Sequence, residues 1–174
     1  MTAVWLGHGA SGGPETMAPY VRELARLGID ATALRLPKGR AERAMEPLRR
    51  QVGPELTGAV IGGHSFGGRV ASMVAAETAP AGLVLLSYPL HRPGHPEELR
   101  VGHWPAIACP VLLLSGDRDQ FARLDLLERS VRLLPAATLG VYEGKGHGLT
   151  SCAPDVAQRI AAFVDQIERS RPAQ

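Results

Sequence analysis

Cysteine, net charge and long apolar runs are all scarce in this chain, and each scarcity excludes a class of protein. The 174 residues include two cysteines, Cys109 and Cys152, without a CxxC pair, which argues against a disulfide framework and a cysteine-based metal site. We therefore expect free thiols, no secretory leader and a cytoplasmic location. The formal net charge of +2 predicts no nucleic-acid partner. No apolar run approaches the roughly 18 residues that span a bilayer, so no membrane association is expected.

Six short apolar runs recur along the sequence and predict six β-strands. They cover residues 3–6, 31–36, 59–61, 83–86, 111–114 and 138–142. Most lack alternation of apolar and polar residues, which is typical of parallel strands covered on both faces. The segments between them are long enough for helices. This order predicts an α/β fold with a doubly wound, mostly parallel sheet of about six strands, in a single domain over residues 1–174.

Apolar residues at helical spacing occupy the connecting segments. The sets are Met17, Val21 and Leu24; Leu124, Leu127, Val131 and Leu134; and Val156, Ile160, Phe163 and Ile167. Pro14 and Pro154 fit the first turns of the first and last helices, and Gly28 fits the end of the first. The polar tail of residues 169–174 is predicted to fray.

The strongest chemical signal is the pentapeptide Gly63-His64-Ser65-Phe66-Gly67 between a predicted strand and a helical pattern. This G-x-S-x-G sequence is typical of a nucleophile elbow, in which a strained turn exposes the serine hydroxyl. The alternative is a glycine-rich turn that only connects the two elements or binds phosphate at the helix N-terminus.

A nucleophilic serine needs a base and an acid, and candidates for both follow two later strands. Asp117 and Asp119 lie just after the fifth strand, and the glycine-flanked His147 follows the sixth. Because parallel strands end at one edge of the sheet, the order Ser, Asp, His matches a hydrolase triad. Taken singly, each residue also fits an ordinary loop or helix-capping role, and either aspartate can serve as the acid.

The loop after the first strand, Gly7 to Gly12, has the form of an oxyanion loop. A tetrahedral intermediate needs two N–H donors, and we expect those of Ala10 and Phe66 to supply them. The alternative is a glycine-rich turn in which His8 is structural.

With these residues the chain resembles the α/β-hydrolase superfamily over nearly its full length. Within it, the chain is similar to the small testis-expressed-30-like branch in residues 62–72, 86–91 and 109–119. That branch includes the catalytic-fold region of the third subunit of the non-specific-lethal complex. The chain is also loosely similar to dienelactone hydrolases. His64 and Phe66 stand where that branch is expected to have Arg and Met. The resemblance implies that Asp119, three residues after Gly116, is the acid and that Asp117 forms a turn.

The connection between the fourth and fifth strands has only about two dozen residues, too few for a helical cap. We therefore expect a shallow, open pocket with a small ester or acyl substrate and no cofactor. The tentative pocket residues are His8, Ser11, His64 and Tyr88.

Two weaker signals are interpreted as structural. The basic residues between positions 35 and 50 are predicted to be a solvated helix face, with an anionic substrate or partner as the alternative. His91, His95 and His103 lie among prolines, and no carboxylate or cysteine is recognised at ligand spacing, so no metal site is predicted.

Three functions fit the sequence. The first is a serine hydrolase of esters or thioesters that works through Ser65, Asp119 and His147. The second is a non-catalytic interaction module on a hydrolase scaffold, as the resemblance to complex subunits suggests. The third is carbon–carbon hydrolysis or perhydrolysis by the same triad.

Overall fold

Six strands form a single parallel sheet in the computed structural model, which describes residues 2–170. They are β1 (Val4–Gly7), β2 (Ala31–Leu34), β3 (Val60–His64), β4 (Gly82–Leu86), β5 (Val111–Gly116) and β6 (Ala137–Tyr142). Their order across the sheet is β2-β1-β3-β4-β5-β6, and every neighbouring pair is parallel. The predicted doubly wound sheet is therefore confirmed.

Five helices cover the sheet on both faces: α1 (Ala18–Arg26), α2 (Ala41–Val52), α3 (Phe66–Glu77), α4 (Leu124–Ser130) and α5 (Ala153–Ser170). The apolar sides of α2, α3 and α4 pack on one face of the sheet, and those of α1 and α5 pack on the other. This arrangement explains the continuous apolar runs, since residues on both faces of the central strands are buried. No helix within residues 2–170 is both long and apolar enough to cross a membrane.

The helix ends agree with the predictions in some places and differ in others. Gly28 has φ +76 just beyond α1, and Pro154 lies in the first turn of α5. On α1 the buried residues are Tyr20 and the predicted Leu24, whereas the predicted Val21 is half-buried. Helix α4 ends at Ser130, before the predicted Leu134. Helix α5 continues through residues 169 and 170, so the predicted fraying fails there, and positions 171–174 lie outside the described residues.

Glycines let the first strand, the third strand and the following helix approach backbone to backbone. A Cβ on Gly63 or on Gly67 would lie 2.2 Å from the carbonyl oxygen of Gly7, far inside van der Waals contact. The chain leaves β1 for β2 on one side and returns to β3 on the other side. This point between β1 and β3 is the topological switch point, where ligands bind in open α/β sheets.

The connection from β4 to β5 contains no cap within the described chain. Residues 87–110 hold only a short 3-10 turn, Trp104–Ala106, and an isolated bridge between Arg92 and His95. Trp104 and Tyr88 are fully buried there, with ring centroids 5.0 Å apart in an edge-to-face contact. The segment therefore packs down onto the sheet and leaves the strand ends uncovered, as the sequence predicted.

Candidate active site

Ser65 lies at the sharp turn that joins β3 to α3. Its backbone has φ 50 and ψ −112, a conformation that is strained for a residue with a side chain. Two hydrogen bonds hold the turn: the Ser65 N–H donates to the Leu86 carbonyl over 2.8 Å, and the Arg69 N–H donates to the Ser65 carbonyl over 3.0 Å. The strain and its support are those expected of a nucleophile elbow.

Three side chains from three different loops form a continuous hydrogen-bond chain. The Ser65 Oγ lies 2.7 Å from Nε2 of His147. The Nδ1 atom of the same ring lies 2.8 Å from Oδ2 and 2.9 Å from Oδ1 of Asp119. Because an ionised carboxylate only accepts hydrogen bonds, Nδ1 carries the proton and Nε2 is free to accept the serine hydroxyl proton. This is the tautomer that a general base needs.

The side chains of this hydrogen-bond chain differ in burial, as expected for an acid that orients a base. The Asp119 side chain is 0% exposed and that of His147 is 21% exposed. Asp119 Oδ1 also accepts a 2.8 Å hydrogen bond from the Phe121 N–H, which fixes the carboxylate plane. The acid is thereby shielded from water while the histidine faces the cavity.

The two candidate aspartates take different partners. Oδ1 of Asp117 accepts a 2.8 Å hydrogen bond from the Gly144 N–H, and the neighbouring Arg118 N–H donates to the Lys145 carbonyl over 2.9 Å. Asp117 therefore ties its own loop to the loop that carries His147. Asp117 also lies in the turn that follows β5, as expected, so its side chain joins this turn to the second loop.

His64, predicted as a pocket residue, lines the cavity and also contacts the loop that carries His147. Its Nε2–H donates to the backbone carbonyl of His147 over 2.9 Å, and the two rings lie 5.1 Å apart. Burial lowers the pKa of His64, which favours the neutral ring that this bond requires. The Phe121 ring also lies 4.3 Å from the His147 ring, so the imidazole contacts two rings.

The expected oxyanion donors lie beside Ser65. Phe66 is the first residue of α3, where an N–H has no partner within the helix. Ala10 is exposed in the loop after β1, and within residues 2–170 its N–H makes no hydrogen bond to another backbone group. Both residues line the same cavity as Ser65. The N–H groups of Phe66 and Ala10 are thus candidates for stabilising an oxyanion, and this role stays a prediction.

A cavity of about 590 Å³ opens over Ser65. Ser11 and His64 line it, as predicted, together with Phe121, Arg69 and Arg100, which the sequence analysis missed. Phe121 and Arg100 lie in loops without a recognisable motif. Arg69 is four residues after Ser65, so helical periodicity could have placed it on the same side of the helix as the serine.

Two predicted pocket residues do not line this cavity. His8 is buried, and its Nε2 accepts a 3.1 Å hydrogen bond from the Leu36 N–H while its Nδ1 donates to the Gly9 carbonyl. Tyr88 is buried too, and its hydroxyl donates to the Arg100 carbonyl over 2.6 Å. The pocket prediction was wrong for both, because each side chain bonds inward to backbone atoms.

The three remaining histidines lie in separate environments. His91 Nε2 accepts from the Arg123 N–H over 3.1 Å, and His103 lies 2.8 Å from the Ser72 hydroxyl. His95 lies with Glu97 and Glu98 on the surface, with ligand atoms within 4.8 Å of one another. The sequence analysis overlooked these two carboxylates, but an exposed acidic group of this kind is common without an ion.

The basic segment is mostly solvated, as predicted. Its residues Arg35, Lys38, Arg40, Arg43 and Arg50 are exposed. The half-buried Arg49 pairs with Glu77 on α3. Both cysteines are free thiols, as expected.

Comparisons with known proteins agree with the fold. A family model described as an alpha/beta hydrolase domain matches residues 19–161. Similar solved structures include the monoacylglycerol lipase of Paleococcus ferrophilus, with a TM-score of 0.80 and 15% identity over 95% of this chain and 96% of that one. A thermophilic esterase from Thermogutta terrifontis has a TM-score of 0.79 and 18% identity over 96% of this chain and 90% of its own. At these identities the similarity shows the fold alone.

Proposed function

The chain belongs to the alpha/beta hydrolase domain family, and from that premise we propose that it is a serine hydrolase that cleaves carboxylic esters or thioesters through an acyl-enzyme. The observation that carries this proposal is the unbroken hydrogen-bond chain from Ser65 through His147 to Asp119, which begins at a strained turn. The esterase and lipase named among the similar structures are consistent with it.

In the first half-reaction Ser65 Oγ attacks the carbonyl carbon and its proton passes to Nε2 of His147. The carbonyl oxygen becomes an oxyanion, which the N–H groups of Phe66 and Ala10 stabilise. The imidazolium then protonates the leaving alcohol or thiol as the carbon–oxygen or carbon–sulfur bond breaks. Asp119 stabilises the imidazolium and holds Nδ1 in the protonated form throughout.

In the second half-reaction water replaces the leaving group. His147 takes a proton from the water, the resulting hydroxide attacks the acyl carbon, and the proton returns to Ser65 as the carboxylic acid leaves. The absence of a cap within residues 2–170 leaves the cavity open to both substrate and water. We therefore propose a small ester or acyl compound as the substrate class.

Within the family we place the chain in the testis-expressed-30-like branch. The support is the sequence of residues 62–72, which joins the elbow to an arginine one helical turn later. Some relatives in that branch serve mainly in complexes, so the test of function must detect chemistry at Ser65 itself.

The test is labelling with a fluorophosphonate probe, with the adduct located by mass spectrometry. We expect one adduct, on Ser65, because only an activated hydroxyl attacks the probe. Ser65→Ala abolishes labelling and lowers ester turnover by roughly 10³-fold or more. Ser151→Ala, which removes an exposed hydroxyl outside the cavity lining, is the matched control and keeps the label. A folded wild-type protein that takes no label would instead be the non-catalytic module.

A further inference from the structure

The cavity over Ser65 is positively charged on one side. Among the described residues that line it are two arginines, Arg69 and Arg100, and no aspartate or glutamate. The proposed triad does not use either arginine. A half-buried cation beside a reaction centre is costly unless an anion or a polar partner compensates it.

Arg69 lies one helical turn after the nucleophile, with its backbone fixed by two hydrogen bonds. Its N–H donates to the Ser65 carbonyl, and its carbonyl accepts the Ser72 hydroxyl over 2.7 Å. Its side chain is 28% exposed, and its nearest carboxylate, that of Glu42, lies 3.9 Å away. Glu42 is 51% exposed and also lies 3.7 Å from Arg40. This shared, solvated contact only weakly neutralises Arg69.

Arg100 arrives from the loop between β4 and β5 and is also anchored by its backbone. Its N–H donates to the Leu90 carbonyl over 2.8 Å, and its carbonyl accepts the Tyr88 hydroxyl. The nearby carboxylate of Glu98 is already engaged by Arg92, which contacts it through two nitrogens at 2.6 and 3.1 Å. The guanidinium of Arg100 has no ion pair within residues 2–170.

The two guanidinium groups also act on each other. Burial, and next the positive charge of Arg69, lower the pKa of Arg100. Like charges held together in a cavity create a positive potential that attracts anions. Guanidinium forks bind carboxylate and phosphate oxygens in pairs, with charge-assisted hydrogen bonds. An anionic ligand would therefore relieve the repulsion and supply the missing partners at once.

We propose that the substrate hydrolysed at Ser65 carries an anionic group, a carboxylate or a phosphate, that Arg69 and Arg100 bind. This inference rests on the proposed serine-hydrolase function and names its substrate class. The anionic group contacts the two arginines at the cavity wall, and the ester carbonyl lies between Ser65 and the oxyanion donors. One ligand therefore spans both sites.

The test compares esters that differ only in the anion. One pair places a carboxylate in the acyl group, mono-4-nitrophenyl glutarate against 4-nitrophenyl pentanoate. A second pair places it in the leaving group, 4-carboxyphenyl butyrate against phenyl butyrate. We expect wild-type kcat/KM to favour the anionic member of at least one pair. Inhibition of pentanoate-ester hydrolysis by inorganic phosphate, compared with acetate, distinguishes a phosphate site from a carboxylate site.

Variants assign the preference to the two arginines. Arg69→Gln and Arg100→Gln each lower the ratio of kcat/KM for the anionic ester to that for the neutral ester by about tenfold or more, as expected for the loss of a charged hydrogen bond. If the site binds phosphate, each substitution also weakens inhibition by phosphate by the same factor. Arg50→Gln, which removes an equal charge from an exposed position outside the cavity lining, leaves the ratio unchanged.

Two different failures can be told apart. Hydrolysis of the neutral esters with no anion preference and no anion inhibition overturns the anion site alone, as does a preference that survives both substitutions. A folded wild-type protein that hydrolyses none of the four esters and takes no fluorophosphonate label overturns the proposed function, and the anion inference with it.

Discussion

Replacing Asp119 with asparagine keeps the shape of a fully buried side chain and removes its charge. In the structure Oδ1 accepts the Phe121 N–H and Oδ2 lies 2.8 Å from Nδ1 of His147. An asparagine that keeps its oxygen toward Phe121 turns its NH₂ group toward Nδ1. Two donors then face each other, and the contact is relieved when Nδ1 loses its proton and Nε2 gains one.

That exchange of tautomer disables the base. A protonated Nε2 cannot accept the proton of the Ser65 hydroxyl, although the two atoms lie 2.7 Å apart. The developing imidazolium also loses the negative charge that stabilises it. In a serine protease with the same Ser-His-Asp arrangement the change costs about 10⁴-fold in kcat, about 5.5 kcal/mol of barrier at roughly 1.4 kcal/mol per factor of ten, and we expect a loss of the same order here.

The assay is steady-state hydrolysis of a chromogenic ester, with circular dichroism to show that each variant is folded. Asp117→Asn is the matched control, because it makes the same chemical change two residues away on a carboxylate that contacts Gly144. We expect kcat of the control to stay within about tenfold of wild type, since its effect reaches His147 only through loop position. If Asp117→Asn is the crippled variant and Asp119→Asn is active, the assignment of the acid is refuted.

Two further predictions concern stability and thiol chemistry. Gly67→Ala places a Cβ 2.2 Å from the Gly7 carbonyl oxygen and should lower the free energy of unfolding by about 3 kcal/mol. The control Gly102→Ala adds a Cβ in open space and should change the free energy of unfolding by less than about 0.5 kcal/mol. Equal denaturation midpoints for the two variants would contradict the steric argument. Burial raises the pKa of Cys109 to about 11, so roughly 0.1% is thiolate at pH 8. A disulfide reagent should therefore modify one thiol per folded chain, Cys152, and two after unfolding; rapid loss of both would contradict the burial.

The sheet was predictable because its central strands are buried on both faces and appear as continuous apolar runs. The edge strands β2 and β6 are only partly buried, but their apolar runs also predicted them. The boundaries were less accurate: β3 continues to His64 and β5 to Gly116, beyond their apolar residues. Hydrogen-bonded pairing with neighbouring strands extends them, and pairing leaves no mark on hydropathy.

The proposed triad was predictable for a related reason. Each of its residues follows a strand closely, and parallel strands bring their ends to one edge of the sheet. Strand order and short spacing therefore predicted that Ser65, His147 and an aspartate meet, and the family resemblance favoured Asp119 over Asp117. The role of His8 as the acceptor for the Leu36 N–H could not be predicted in this way. The two residues are 28 positions apart along the chain, and no local pattern links a buried ring nitrogen to a distant N–H.

The proposed anion site shows where inference from sequence ends. Arg69 is in the elbow helix, four residues after Ser65, and helical periodicity places it on the same side of the helix as the nucleophile. Arg100 reaches the cavity from a connection without periodicity, and its position depends on the buried hydroxyl of Tyr88 and the carbonyl of Leu90. A lone arginine near an elbow suggests an ordinary solvated side chain. The second arginine changes that interpretation, and only the packing of the loop brings it there.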